Sequence, residues 1–149
     1  MSKSNPDRER IRAFLSDPGP PLAFESSPLL AALGTAILDA GEGRILLQFE
    51  PAPLFLQGAD VVQGGAVSAM LDFVLAAAVM TKVDAAIHFA TASLNVSFLA
   101  PVRRGVLRGE GQVDRIGRRN GFAHASLRDS EGMVLATASS VLTLLAPEK

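Results

Sequence analysis

The sequence predicts an α+β domain in which one antiparallel sheet of six strands curls around a single long central helix. Three observations carry this. The one long helical run, residues 64–81, is apolar nearly all round, so it must be buried on nearly all sides. Two strand-like segments precede it and four follow in a meander. An antiparallel sheet also needs apolar cover on one face, and a sheet wrapped around that helix meets both demands.

Each element has its own signal. Residues 7–16 read as a short amphipathic helix with Ile11, Phe14 and Leu15 on one side, stopped by Pro18-Gly19-Pro20-Pro21. A second short helix over 28–33 has Ser27 as N-cap, Pro28 at its first position and Gly34 just past its end. Residues 35–39 and 44–50 are strand-like around the hairpin turn Gly41-Glu42-Gly43, and Pro51 and Pro53 stop the second of them. After the long helix come strand-like runs at 91–99, 106–116, 122–129 and 133–145. They are separated at Pro101 and Gly105, at Arg119-Asn120-Gly121 and at Ser130-Glu131-Gly132. Strict alternation in 91–98 puts Ala92, Leu94, Val96 and Phe98 on one face and Thr91, Ser93, Asn95 and Ser97 on the other. No repeat or linker divides the chain, so residues 1–149 read as one domain: a helical N-terminal extension over 1–33 and a core over 34–146.

Composition narrows the function. The 149 residues (15.6 kDa) are 48% hydrophobic and 19% charged, which fits a packed globular chain. Fourteen basic and fifteen acidic residues give no whole-chain field toward nucleic acid or anionic lipid. Zero cysteines exclude disulfides, thiolate metal sites and a cysteine nucleophile. The charged N-terminal stretch lacks the apolar centre of a secretory signal. The apolar run Gly64 to Met80 is shorter than the roughly 20 residues of a membrane span and carries Asp72 in its middle. The expectation is a cytoplasmic protein with no nucleic-acid or membrane partner.

Asp72 is the candidate for chemistry. It lies too deep in the long helix to be an N-cap, and its neighbours at helical spacing are Gly65, Ser68, Ala69, Ala76 and Val79. Val67, Met70, Val74 and Ala77, flanked by Leu71 and Phe73, make the opposite, packing face. The small face is open to close approach by a ligand or another backbone. Burial there would raise the carboxyl pKa and make it a better base near neutrality. Gln63-Gly64-Gly65 opens the helix, where free N–H groups can bond an oxygen gaining negative charge. His88 and His124 have no spaced partner, so no metal site is expected. His124 alternates with Phe122 and Ser126 and reads as a surface or interface residue. Phe14, Phe24, Phe55, Phe73 and Phe89 could line a pocket, with core packing as the default for each.

The run Val62-Gln63-Gly64-Gly65-Ala66-Val67-Ser68-Ala69-Met70-Leu71-Asp72, followed about twenty residues later by Thr91-Ala92-Ser93-Leu94-Asn95-Val96-Ser97-Phe98-Leu99-Ala100-Pro101, resembles the hotdog-fold acyl-CoA thioesterases, most of all the phenylacetate-pathway (PaaI-like) type. The family motif is His-Gly-Gly with an acidic residue seven positions after the second glycine, and Gly65 to Asp72 has that spacing. Arg103 to Gly105, Gly117-Arg118-Arg119 and the closing strand also resemble the family. The likeness covers about residues 30 to 145. It implies the hotdog fold, paired subunits with the site at their interface, and hydrolysis of a small or aromatic acyl-CoA to free acid and thiol. By position it implies Asp72 as general base or nucleophile, Gly64 N–H on the thioester carbonyl, Thr91 placing the water and Gln57 completing the site. It also implies that Gln63, Gly65 and Ser68 border the substrate. No cofactor is implied beyond the coenzyme A of the substrate, whose phosphates suit the arginines of 101–120, Arg118 and Arg119 first among them. The chain departs from the pattern at Gln63, where the family has histidine; glutamine can hydrogen-bond but takes up no proton at neutral pH.

Other readings stay open on the residues. One is a non-catalytic acyl-CoA-binding or regulatory protein, which Gln63 favours. The others are a hydratase or dehydratase of the same fold, which would want a histidine near the helix, and a structural oligomer that uses the small face for packing. Exposed strand edges lead to at least a homodimer, plausibly a homotetramer.

Overall fold

The computed structural model describes residues 5–145; the outer bounds expected for the extension (1) and the core (146) lie outside them. In chain order the elements are α1 (Pro6–Ser16), β1 (Leu22–Ala23), α2 (Pro28–Ala32), β2 (Ala36–Gly41), β3 (Arg44–Phe49), a 3-10 turn (Pro53–Phe55), α3 (Gly64–Met80), β4 (His88–Phe98), β5 (Leu107–Ile116), β6 (Asn120–Arg128) and β7 (Val134–Leu145). All seven strands join one antiparallel sheet in the order β1-β2-β3-β5-β6-β7-β4. This is the hotdog fold, with one strand more than the six expected. The addition is β1, two residues long, which pairs Leu22 with Ile37 and Ala23 with Ala36. A pair this short leaves no periodic pattern to read.

The sheet curls because it must reach around α3, which touches β3, β4, β5, β6 and β7. Val67, Met70, Leu71, Val74 and Leu75 are almost fully enclosed and meet Ile45, Leu47, Phe49, Leu127 and Leu142 from the concave face. The strands approach closely where they carry glycine: a Cβ on Gly111 would stand 2.7 Å from Val74 Cγ1 and 2.8 Å from the Val74 carbonyl oxygen. Of the small face expected around Asp72, residues 65, 68, 69 and 76 are at least partly open, but Val79 is fully buried near Gly121. The start of β6 covers that end of the helix. Phe73, expected on the packing face, is half-buried and meets Phe24 edge-on at 5.1 Å.

Helix α1 begins one residue earlier than its charge pattern indicates, because Asn5 Oδ1 accepts the N–H groups of Asp7 and Arg8. It is fastened by Arg8, a buried cation whose Nη1 donates to the carbonyls of Asp84 (3.3 Å), Ala85 (2.7 Å) and Ile87 (2.9 Å). Its guanidinium also lies over the Phe89 ring. Three carbonyls and a ring face replace the water this charge gives up. They tie the N-terminal helix to the connection between α3 and β4. No helix among the described residues is long and apolar enough to cross a membrane.

Candidate active site

Gln63 is the N-cap of α3, with extended backbone at φ −62°, ψ 140°. Its Oε1 accepts the Gly65 N–H at 2.6 Å, and its carbonyl accepts those of Ala66 (2.9 Å) and Val67 (3.1 Å). The cap therefore uses three of the four donors of the first turn. The fourth, Gly64 N–H, has no acceptor among the described residues. Glycine at 65 lets the cap close, since a Cβ there would stand 2.7 Å from Gln63 Oε1. Gln63 thus does what an N-cap requires, accepting a hydrogen bond, for which no titratable group is needed.

Beside Gly64 is a cavity of about 610 Å³ whose walls include Gln57, Gln63, Gly64, Val67, Phe98 and Val102. Gln57 opens a tight turn: its N–H donates to the Val61 carbonyl, its own carbonyl accepts Asp60 N–H, and its side-chain Oε1 accepts Ala59 N–H. Phe98 is the pocket aromatic, its Cζ 3.5 Å from where a Cβ on Gly64 would be. It is absent from the aromatics the sequence singles out. Of those, Phe14 and Phe24 are core, while Phe55, Phe73 and Phe89 are partly buried against it. The available signal for Phe98 was its place at the end of a strand just before Leu99-Ala100-Pro101.

Asp72 stands two turns further along α3, half-buried rather than enclosed, and its Oδ1 accepts the Thr91 hydroxyl at 2.9 Å. Strict alternation would turn Thr91 away from the face of Leu94 and Val96. A β-bulge changes this: Thr91 pairs with Leu142 and Ser93 with Val141, so Ala92 is the extra residue. The phase shift puts Thr91, Leu94 and Val96 all on the concave side, and Thr91 meets Asp72. Ser68 donates its hydroxyl to the Gly64 carbonyl at 3.0 Å and is absent from the cavity wall.

Arg118 and Arg119 are exposed in the turn between β5 and β6. Gly121, just beyond, approaches Val79, so this turn lies at the C-terminal end of α3, away from Gly64. The structure brings together Gln57, Gln63 and Gly64 in one place and Asp72 and Thr91 in another, with Arg118 and Arg119 apart from both. His124 is exposed on the convex face of the sheet, its Nδ1 2.6 Å from Asp114 Oδ1.

The thioesterase superfamily model matches residues 59–136, a stretch that holds Gly64, Asp72 and Thr91. The chain belongs to the thioesterase superfamily. The reaction class that goes with this family is thioester hydrolysis. A candidate thioesterase of Ralstonia eutropha JMP134, described as phenylacetic acid degradation-related, is 29% identical, with a TM-score of 0.76 over 90% of this chain and 98% of its own. The PaaI protein of the Escherichia coli phenylacetic acid degradation operon shares the fold at a TM-score of 0.78, with 18% identity over 98% of each chain. A candidate esterase of Thermoplasma volcanium is 27% identical over 103 residues, 69% of this chain and 77% of its own.

Proposed function

We propose that this superfamily member is a cytoplasmic acyl-CoA thioesterase that hydrolyses a small or aromatic acyl-CoA to the free acid and coenzyme A. The carrying observation is the single N–H left open at the start of α3, in the wall of a mostly apolar cavity. A thioester carbonyl seated there gains a donor aligned with the helix dipole as its oxygen becomes negative. Water attacks the carbonyl carbon, and Asp72, held by Thr91, takes the proton. The C–S bond of the resulting oxyanion then breaks, and the departing thiolate is protonated. Gln57 orients the thioester from the cavity wall. Water, substrate and the chain's own groups suffice for each step.

Gly64 and Asp72 are eight residues apart on one straight helix, about 12 Å along its axis. That is too far for both to act on one carbonyl. β4 ends the sheet, and among the described residues no strand covers its outer side. A second copy docked along β4 would offer its own Asp72 to this Gly64, which supports a shared site in a homodimer, or in a tetramer built from such dimers.

The test is thiol release from a panel of acyl-CoAs by wild type and Asp72→Asn. Turnover of at least one aryl or short-chain thioester is expected, with a drop of roughly 10²-fold or more in the variant. A wild type inert across the panel, or a variant as fast as wild type, overturns the reading; tight binding without turnover would identify a non-catalytic binder.

A further inference from the structure

The cavity at Gly64 has a neighbour. Its wall residues Ala100 and Pro101 also border a second cavity, of about 280 Å³, lined by Arg103, Arg104, Gly105, Leu107, Asp129 and Met133. Both arginines are exposed, and neither guanidinium has an acceptor or a carboxylate partner among the described residues. Asp129 is the acidic wall residue, and its Oδ1 is already held by the N–H groups of Glu131 and Met133. The arginine turn is also fixed relative to the helix start. Val62 N–H donates to the Val102 carbonyl at 2.7 Å, and Val61 and Arg103 form a β-bridge, two residues before the Gln63 cap. Gly105, at φ 127°, turns the chain back into β5 at a backbone angle that other residues rarely adopt.

Two unpaired forks of donors, rigidly attached to the carbonyl-binding end of α3 and set beside its cavity across the shared wall of Ala100 and Pro101, suit an extended ligand with phosphates at its far end. We propose that the Arg103–Arg104 turn is an anion subsite that takes the phosphate groups of the substrate's nucleotide moiety while the thioester sits at Gly64. This rests on the acyl-CoA reading above, and it selects a nucleotide-bearing carrier over a bare pantetheine thioester. It also places the phosphates at the N-terminal end of α3, where Arg118 and Arg119 of the same chain do not reach.

The test measures binding by calorimetry, which needs no turnover, with coenzyme A, dephospho-coenzyme A and pantetheine as probes. The proteins are wild type, Arg103→Gln/Arg104→Gln and Arg118→Gln/Arg119→Gln, each checked for an unchanged melting temperature. Loss of charge-assisted bonds predicts that the Arg103/Arg104 pair weakens coenzyme A at least about tenfold. It should also flatten the salt dependence and leave pantetheine unchanged. Three results overturn the subsite: no binding of coenzyme A to wild type, equal losses for coenzyme A and pantetheine, or a loss that follows Arg118 and Arg119 instead. Arginine-dependent coenzyme A binding in a protein that hydrolyses no acyl-CoA would keep the subsite and remove the thioesterase reading. Asp72-dependent hydrolysis indifferent to Arg103 and Arg104 would do the reverse.

Discussion

The two ends of α3 are built by opposite rules. At the C-terminal end, Thr81 N–H bonds the carbonyls of Ala77 and Ala78, and the Thr81 hydroxyl donates to Ala78 O and accepts Gly43 N–H from the β2–β3 hairpin. Lys82 and Val83 N–H close on Val79 O, and Val79 itself is fully buried. Polar groups there are matched to one another. At the N-terminal end the cap leaves the Gly64 donor open, and the neighbouring wall is a cavity edged by an exposed phenylalanine. A closed helix end contributes stability; an open one forgoes a hydrogen bond and keeps a donor for a ligand. On the proposed reading, the two ends of one helix divide the work between holding the fold and doing the chemistry.

That contrast can be broken most sharply at residue 64. Proline there removes the open N–H and nothing else the helix uses: position N1 accepts proline, and the preceding Gln63 already has the extended backbone that proline demands. Gly64→Pro is expected to lower kcat about 10²- to 10³-fold with little change in melting temperature. A large loss of stability instead would show that the N–H has a structural partner. Mixing Gly64→Pro chains with Asp72→Asn chains sharpens the point. If the site is shared between copies, hybrid dimers contain one intact site and activity returns, whereas sites confined to single chains stay dead.

A smaller effect of opposite kind belongs to the closed end. Thr81→Val removes two hydrogen bonds to backbone groups, one as donor and one as acceptor, and should lower stability by about 1–2 kcal/mol in denaturant unfolding while leaving kcat in place. The smallest effect is expected on the same hairpin, at Asp39. A hydrogen bond from Arg44 at 2.7 Å holds this exposed carboxyl below its ordinary value of 3.8. A carboxyl lowered in the folded state adds stability above its ordinary pKa and loses it as pH falls through the lowered one. Asp39→Asn should thus be slightly less stable than wild type near neutrality, and the difference should vanish in strong acid. A pH-independent difference would mean that the pair acts through packing.

Much of this was legible along the chain. The buried helix, its glycine-rich start and the acidic residue at fixed spacing are local patterns, because a helix brings residues seven or eight apart to known places. The hairpin at Gly41-Glu42-Gly43 and the strand meander were equally local. Thr91 was readable as a site residue only through the family likeness, since alternation pointed it to the wrong face, and the bulge at Ala92 depends on how β4 pairs with β7. Asp72 was read as losing solvation on a small face open to close approach, and it is half-buried in the chain. Phe98 and the Arg103–Arg104 turn gain meaning only because Ala100 and Pro101 stand in the walls of two neighbouring cavities.

The sequence by itself determined which of the longer segments are helix and strand, that one helix must be wrapped by the sheet, and that Gly64, Gly65 and Asp72 share that helix. Periodicity and turn chemistry act over a few residues, so they survive without knowledge of neighbours. Only the tertiary structure decided that Gln63 closes the helix start while leaving one donor free, that a single extra residue aims Thr91 at Asp72, and which arginines stand beside the cavity at Gly64. Those outcomes depend on register and on contacts between segments distant in sequence, where a shift of one residue reverses the direction of a side chain.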